Sequence, residues 1–145
     1  MSPRDVARAL AHGRIAIGAG LLAAPRLTIG MWLGRDAVDR AVAPVGRALG
    51  IREVVLGGML LHTLDRPQVG ARWLRTLAAC DALDLAATLA ARRALPRTST
   101  LVALLALSGA AGHLWAAGEL ARADPPDTPE PTRVVTIEPD DDDAA

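Results

Sequence analysis

Four long stretches of the chain repeat apolar residues at helical spacing, separated by short segments that contain proline. Proline is tolerated at the start of a helix but interrupts a helix interior, so Pro25 and Pro96 are expected to stop the runs before them. The pattern predicts four helices, over 6–24, 45–64, 69–95 and 99–121. No segment alternates apolar and polar residues as a half-buried strand does, and we therefore predict an all-α fold.

Two further segments lack the long apolar repeat. Residues 26–43 mix apolar and charged side chains, which favours a segment that lies along a membrane interface. After Ala121 the chain turns to Asp, Pro and Thr and finishes IEPDDDDAA, a composition typical of disorder. We expect a helical domain over 1–121 and a disordered acidic tail over 122–145.

The apolar content of the helices favours a membrane over water. A helix needs about 20 mostly apolar residues to span a bilayer, and residues 101–118 supply such a run with His113 as its one ionisable side chain. The chain has no Phe or Tyr, so Ala, Leu, Val and Gly provide nearly all of its apolar surface. We predict an antiparallel four-helix membrane bundle, with a small soluble helical bundle as the alternative.

Small residues recur every three or four positions on three of the predicted helices. Such rows let helix backbones approach closely, which is how helices associate in lipid. Glycine also costs about 1 kcal/mol relative to alanine in a water-exposed helix. A chain this rich in Ala and Gly would also produce some rows by chance. If the rows are contacts, the helix-packing positions are Gly46, Gly50, Gly57 and Gly112.

Two aspartates interrupt the apolar run of the third predicted helix. At about 100° per residue, Asp81, Asp84 and Thr88 lie on one narrow polar stripe. The second predicted helix runs the opposite way in an antiparallel bundle. Counting about 1.5 Å of rise per residue then places Glu53 at nearly the depth of the two aspartates, with Arg52 beside it.

Three acids at one depth cannot all stay ionised in a low-dielectric interior without partners. Arg14 on the first predicted helix reaches a similar depth and is a further cation. We predict a buried polar network that locks the third predicted helix to the second. Its members are Arg14, Arg52, Glu53, Asp81, Asp84 and Thr88. Two other interpretations stay open: a proton or cation pathway through the membrane, and a solvated face of a soluble helix.

The remaining residues give no indication of catalysis or of nucleic-acid binding. Sixteen basic and sixteen acidic side chains cancel, so no net field attracts a nucleic acid. Cys80 is the one cysteine, which excludes an intrachain disulfide. Neither a nucleophile elbow nor a glycine-rich phosphate loop is present. We expect no enzymatic activity and no cofactor.

Three histidines, His12, His62 and His113, lie in the halves of their predicted helices nearest the N-terminal side. Three imidazoles together with Asp81 would make a zinc or copper site. No HxxxH or HxxE spacing links them, however. We expect isolated polar side chains near helix ends and no metal site.

Two segments, GRDAVDRAVAPVGRALGIREVVLGGMLL over 34–61 and RWLRTLAACDALDLAATLAARRALPR over 72–97, carry a family resemblance. They resemble a group of small actinobacterial membrane proteins of unknown function, in which a GRD element precedes an R-x-LG-x-RE-x-x-x-G segment and a D-x-x-D helix follows. The resemblance implies a four-helix integral membrane protein and carries no activity. The matching positions are Gly34, Arg35, Asp36, Arg47, Leu49, Gly50, Arg52, Glu53, Gly57, Asp81 and Asp84.

We therefore expect a non-enzymatic, multi-pass protein of the plasma membrane that is structural or accessory to a partner complex. Its expected partners are the lipid bilayer and either a second copy of the chain or another membrane protein. The alternative function is a small transporter, or a proton- or cation-coupled membrane component, that uses Glu53, Asp81 and Asp84.

Overall fold

Five helices account for most of the chain in the computed structural model, which describes residues 2–35, 38 and 42–123. They are α1 (Pro3–Ala23), α2 (Pro25–Leu33), α3 (Val42–Thr63), α4 (Pro67–Ala90) and α5 (Ser99–Ala123). The described residues contain no strand, which confirms the all-α prediction. The predicted acidic tail lies outside the described residues from position 124 onward.

A capping box starts α1 three residues earlier than the apolar pattern predicts. The Ser2 hydroxyl accepts from the Asp5 N–H at 3.1 Å, and the Asp5 carboxylate accepts from the Ser2 N–H at 3.0 Å. Pro3 occupies the first helical position, where a missing N–H costs nothing. The apolar repeat begins only at Val6, so the cap and not the repeat decides where α1 begins.

The predicted count of four helices is wrong, because the segment after the first helix contains a helix of its own. Pro25 was expected only to stop α1, but it also begins α2, since proline suits the first position of a helix. Ile29 is buried, and a Cβ added to Gly46 of α3 would lie 2.7 Å from its Cδ1 atom. The helix ends at Gly34, whose φ of 94° is a backbone conformation that glycine adopts readily. Residues 25–33 therefore form a short helix packed on α3.

The C-terminal end of α4 also differs from the prediction, which extended this helix to residue 95. The last helical residue is Ala90, and residues 91–95 form turns, with the Ala94 N–H donating to Ala91 O at 2.9 Å. Pro96 has no N–H, and its ring would clash with the carbonyl four residues before it. The helix therefore has to end several residues ahead of this proline.

Glycines bring α1 and α3 into direct backbone contact, and these two helices pack along each other as extensively as α4 packs on α5. A Cβ on Gly18 would lie 2.7 Å from Gly50 O, and a Cβ on Gly57 would lie 2.7 Å from Ala11 O. Higher numbers on α1 thus face lower numbers on α3, so this pair is antiparallel. A side chain larger than hydrogen at these positions would push the helices apart.

The other predicted packing positions also lie between helices. Gly46 faces α2, as described above. Gly112 lies on α5, where an added Cβ would be 3.2 Å from the Leu10 side chain of α1. The contacts between the α1–α3 pair and the α4–α5 pair are less extensive than those within each pair.

The hydrophobic core is built from alanine and leucine. It lies where the N-terminal part of α1 and the C-terminal part of α3 meet the start of α4 and the end of α5. Small side chains here allow the four helices to lie close together. The core residues are Ala7, Ala11, Leu60, Leu64, Ala71, Leu74, Leu77, Ala116, Ala117 and Leu120.

Gly57→Ala is expected to destabilise the α1–α3 contact, because the new methyl group would also lie 2.8 Å from Ile15 Cγ1. We expect the free energy of unfolding to fall by about 1–3 kcal/mol, the usual cost of overpacking. Unfolding followed by circular dichroism measures the change. Gly58→Ala is the matched control, because nothing lies within 4 Å of that position. Equal effects of the two substitutions would contradict the close approach of α1 and α3 at Gly57.

Candidate functional site

Arg14 is the centre of a buried ionic network. Its side chain projects from the middle of α1, and the residue is only 6% exposed. Nη1 donates to the carboxylate of Glu53 on α3, and Nη2 donates to the carboxylate of Asp81 on α4. Nη2 also lies 3.5 Å from the carbonyl oxygen of Leu77. One guanidinium group therefore joins three helices and compensates charge on two acids.

His113 extends the network to a fourth helix. Its Nδ1 lies 2.9 Å from the second carboxylate oxygen of Asp81, and the residue is 1% exposed. The ion pair with Arg14 makes Asp81 the acceptor in this contact, so Nδ1 carries the hydrogen. His113 was expected to be an isolated polar side chain near a helix end, and that prediction is wrong. It lies on the small-residue side of α5, one turn from Gly109, and this position was the available sequence signal.

Gly109 on α5 gives the Asp81 carboxylate the space that it occupies. A Cβ at this position would lie 2.6 Å from Asp81 Oδ2, the atom that contacts His113. Asp81 is held on both oxygens, by Arg14 and by His113, so it has little freedom to move away. Gly109 is therefore part of the site although it has no side chain, and it was not among the predicted site residues.

Arg52 and Asp84 form a more exposed outer part of the network. Arg52 Nη2 lies 3.7 Å from Asp84 Oδ2, and Arg52 Nε lies 3.9 Å from Glu53 Oε1. Both side chains are partly exposed, so this contact is screened more than those of Arg14. It is a direct ionic contact between α3 and α4, the two helices that the acids were predicted to lock together. The larger share of the cross-linking comes from α1, through Arg14.

Thr88 does not join the other predicted network residues. It is buried, but its hydroxyl donates to the Asp84 carbonyl of its own helix at 2.8 Å. Thr88 lies on the same face of α4 as Asp81 and Asp84. It is further along the helix, however, than the charged residues of the neighbouring helices that contact these two acids. Thr88 therefore satisfies its hydroxyl locally.

The three histidine side chains do not form a common site. His12 and His62 are exposed on α1 and α3, whereas His113 is buried. Within the ranges that the structure describes, no group of three or more His, Cys, Asp or Glu side chains is placed to hold a metal ion. The alternative site of three imidazoles with Asp81 is not formed by these residues.

Many large apolar side chains are exposed on the outer surface of the helices, whereas the Arg14 network is enclosed between them. On α5, Leu101 and Leu105 are 64% and 62% exposed, whereas Ala110 and His113 are buried. Exposed Val and Ile side chains continue this surface on α1 and α3, and exposed Leu side chains continue it on α4. Among the described residues, α1 and α5 are long and apolar enough to cross a membrane by length and composition.

Comparison with known proteins adds no relative: no protein-family model, curated protein or solved structure matches the chain. The resemblance to small actinobacterial membrane proteins stays a prediction. Of its eleven positions, Asp36 lies outside the described residues.

Arg14→Met is expected to destabilise the protein strongly, because it leaves Glu53 and Asp81 buried without the cation that contacts both. We expect a loss of about 3–5 kcal/mol in the free energy of unfolding, the cost of breaking a buried ion pair from one side. Adding Glu53→Gln and Asp81→Asn to Arg14→Met should recover part of that loss. Arg8→Met is the control, because Arg8 is exposed and its nearest carboxylate oxygen, on Asp5, is 3.8 Å away. An effect of Arg14→Met no larger than that of Arg8→Met would contradict the network.

Proposed function

We propose that the protein is a non-enzymatic, multi-pass protein of the plasma membrane, in which the ionic network centred on Arg14 holds the membrane-embedded helices together. One observation carries the proposal: a network of charged groups is enclosed between the helices, while many large apolar side chains are exposed on their outer faces. Water favours the reverse arrangement, because each exposed leucine forfeits its burial and each buried charge loses its hydration. A lipid surrounding removes the first cost and makes the internal pairing of charges necessary.

The spacing of exposed charges supports a bilayer-sized apolar band. On α4, the part after Arg75, up to the helix end at Ala90, contains no charged side chain that is more than half exposed, and it corresponds to about 22 Å of helix. On α5, the part from Ser99 to Glu119 corresponds to about 30 Å. The α5 length matches the hydrocarbon thickness of a bilayer, about 30 Å, and the α4 length approaches it. In this proposal α1, α3, α4 and α5 span the membrane in alternating directions, and the nine-residue α2 is too short to do so.

A structural or accessory role follows from the chemistry of the site. Every charged group of the network is engaged with another group of the network. The exposed apolar surface is the part that meets lipid, a second copy of the chain, or another membrane protein. The network then keeps the helices in one arrangement for that partner.

Membrane fractionation tests the proposal. We expect the full chain to remain in the membrane pellet after extraction with alkaline carbonate, which releases peripheral proteins. Release into the supernatant, or accumulation in the soluble fraction without detergent, would instead support the alternative of a soluble helical bundle.

Substitution on the outer face of α5 provides an independent measurement. Leu105→Arg places a charge on the apolar surface, and in a bilayer centre this costs about 2.5–3.5 kcal/mol on the insertion scale. We expect reduced membrane insertion of this variant, measured by carbonate extraction. Leu105→Ile is the control of the same size. In a soluble bundle, Leu105→Arg would leave fractionation and stability unchanged, because the side chain is already exposed.

A small transporter or proton-coupled component that uses Glu53, Asp81 and Asp84 is the second candidate. The observation that favours it is a continuous chain of contacts from the partly exposed Asp84 and Arg52, through the less exposed Glu53, to the buried Arg14. Glu53→Gln and Asp81→Asn distinguish the two functions. A structural network predicts reduced abundance and stability of both variants. A transport site predicts normal abundance with loss of ion or solute flux in reconstituted vesicles.

A further inference from the structure

We propose that His113 is a proton-binding site, and that a proton on its ring completes the charge of the buried network. The inference does not depend on the membrane proposal, because His113 is enclosed by the protein's own helices.

The charge count of the network is uneven. Two cations, Arg14 and Arg52, face three carboxylates, which leaves a net charge of −1 when all five groups are ionised. At the most buried point of the network, Arg14 is shared between Glu53 and Asp81. The second cation, Arg52, reaches Glu53 and Asp84. An unmatched charge in a low-dielectric interior is costly. With a neutral ring the network carries a charge of −1, and with a protonated ring it carries none.

The geometry identifies the atom that takes the proton. Nδ1 of His113 already donates to Asp81, so in the neutral ring the free lone pair lies on Nε2. Nε2 is buried and has no hydrogen-bond partner among the described residues. A proton that adds to this lone pair breaks no bond and raises the charge of the ring by one. The new positive charge lies beside Asp81, which has only a share of the Arg14 charge because Arg14 also pairs with Glu53.

Among the described residues of the helices packed against α5, Arg14 is the cation that reaches the carboxylate contacting the ring. From α4, Asp81 contacts the ring directly, and from α1, Arg14 contacts the opposite oxygen of that carboxylate. α2 carries one charged residue, Arg26, which lines a separate pocket with Arg47. On α5 itself, Glu119 and Arg122 pair with each other. Imidazole is also the side chain that ordinarily changes charge between pH 5 and 8.

Nitrogen-15 NMR of the full chain, labelled at histidine and held in detergent micelles or in buffer as its solubility requires, tests the proposal. We expect both ring nitrogens of His113 to be protonated at pH 5, with the Nε2 resonance shifting to the unprotonated position by pH 8. Asp81→Asn removes one negative charge, so we expect the ring to stay neutral across the same range. His12→Asn and His62→Asn assign the three signals, and both should leave the titration of His113 unchanged.

A second measurement keeps the test valid if Asp81→Asn fails to fold. His113→Asn retains an amide donor near the position of Nδ1 but cannot titrate. We expect wild type to melt at a higher temperature at pH 5.5 than His113→Asn does, and the difference between the two to shrink by at least half at pH 8. A neutral His113 ring at every pH from 5 to 8 would overturn the proposal. So would a wild-type pH response that His113→Asn retains in full.

Discussion

The arrangement of the helices depends on one guanidinium group that is shared between two acids. Arg14 belongs to the α1–α3 pair, and Asp81 belongs to the α4–α5 pair. The apolar contacts within each pair are extensive, whereas those between the pairs are fewer and involve small side chains. Apolar contacts of this kind have little directional preference. The hydrogen bonds of Arg14 have a fixed fork geometry, so they determine how one pair is rotated against the other.

The glycine contacts and the ionic network depend on each other. Gly57 lies one turn from Glu53 on α3, and a Cβ there would be 3.4 Å from the Cβ of Arg14. The close approach of the two backbones at Gly57 is therefore what brings the Arg14 side chain beside Glu53. On the opposite side of the network, Gly109 leaves room for Asp81 against α5. A larger side chain at either glycine would displace a charged group as well as a helix.

Counting residues along the predicted helices placed Arg14, Glu53 and Asp81 at a similar depth, and the structure brings these three side chains together. The depth of a residue does not determine how its helix is rotated about its own axis. This explains why the predictions for Thr88 and His113 were wrong. Thr88 shares the stripe of Asp81 but lies nearly two turns further along α4. His113 lies at the right depth and on the small-residue side of α5, but the rotation of α5 that turns its ring toward Asp81 does not follow from counting residues. The missed α2 has another cause, because Pro25 was interpreted as a stop although proline also suits a helix start.

The order in which the chain is made has a consequence for how this network assembles. Arg14 precedes Glu53 by 39 residues and Asp81 by 67. During synthesis, the first helix emerges with a cation and with neither of the two acids that later surround it. The α1–α3 pair can form as soon as residue 63 has emerged, but it then holds Arg14 with only half of its final complement of acids. The Asp81 contact that fixes the rotation of the α1–α3 pair against the other helices can form only after α4 has been synthesised. The N-terminal half of the protein therefore reaches its native packing only when the C-terminal half is present.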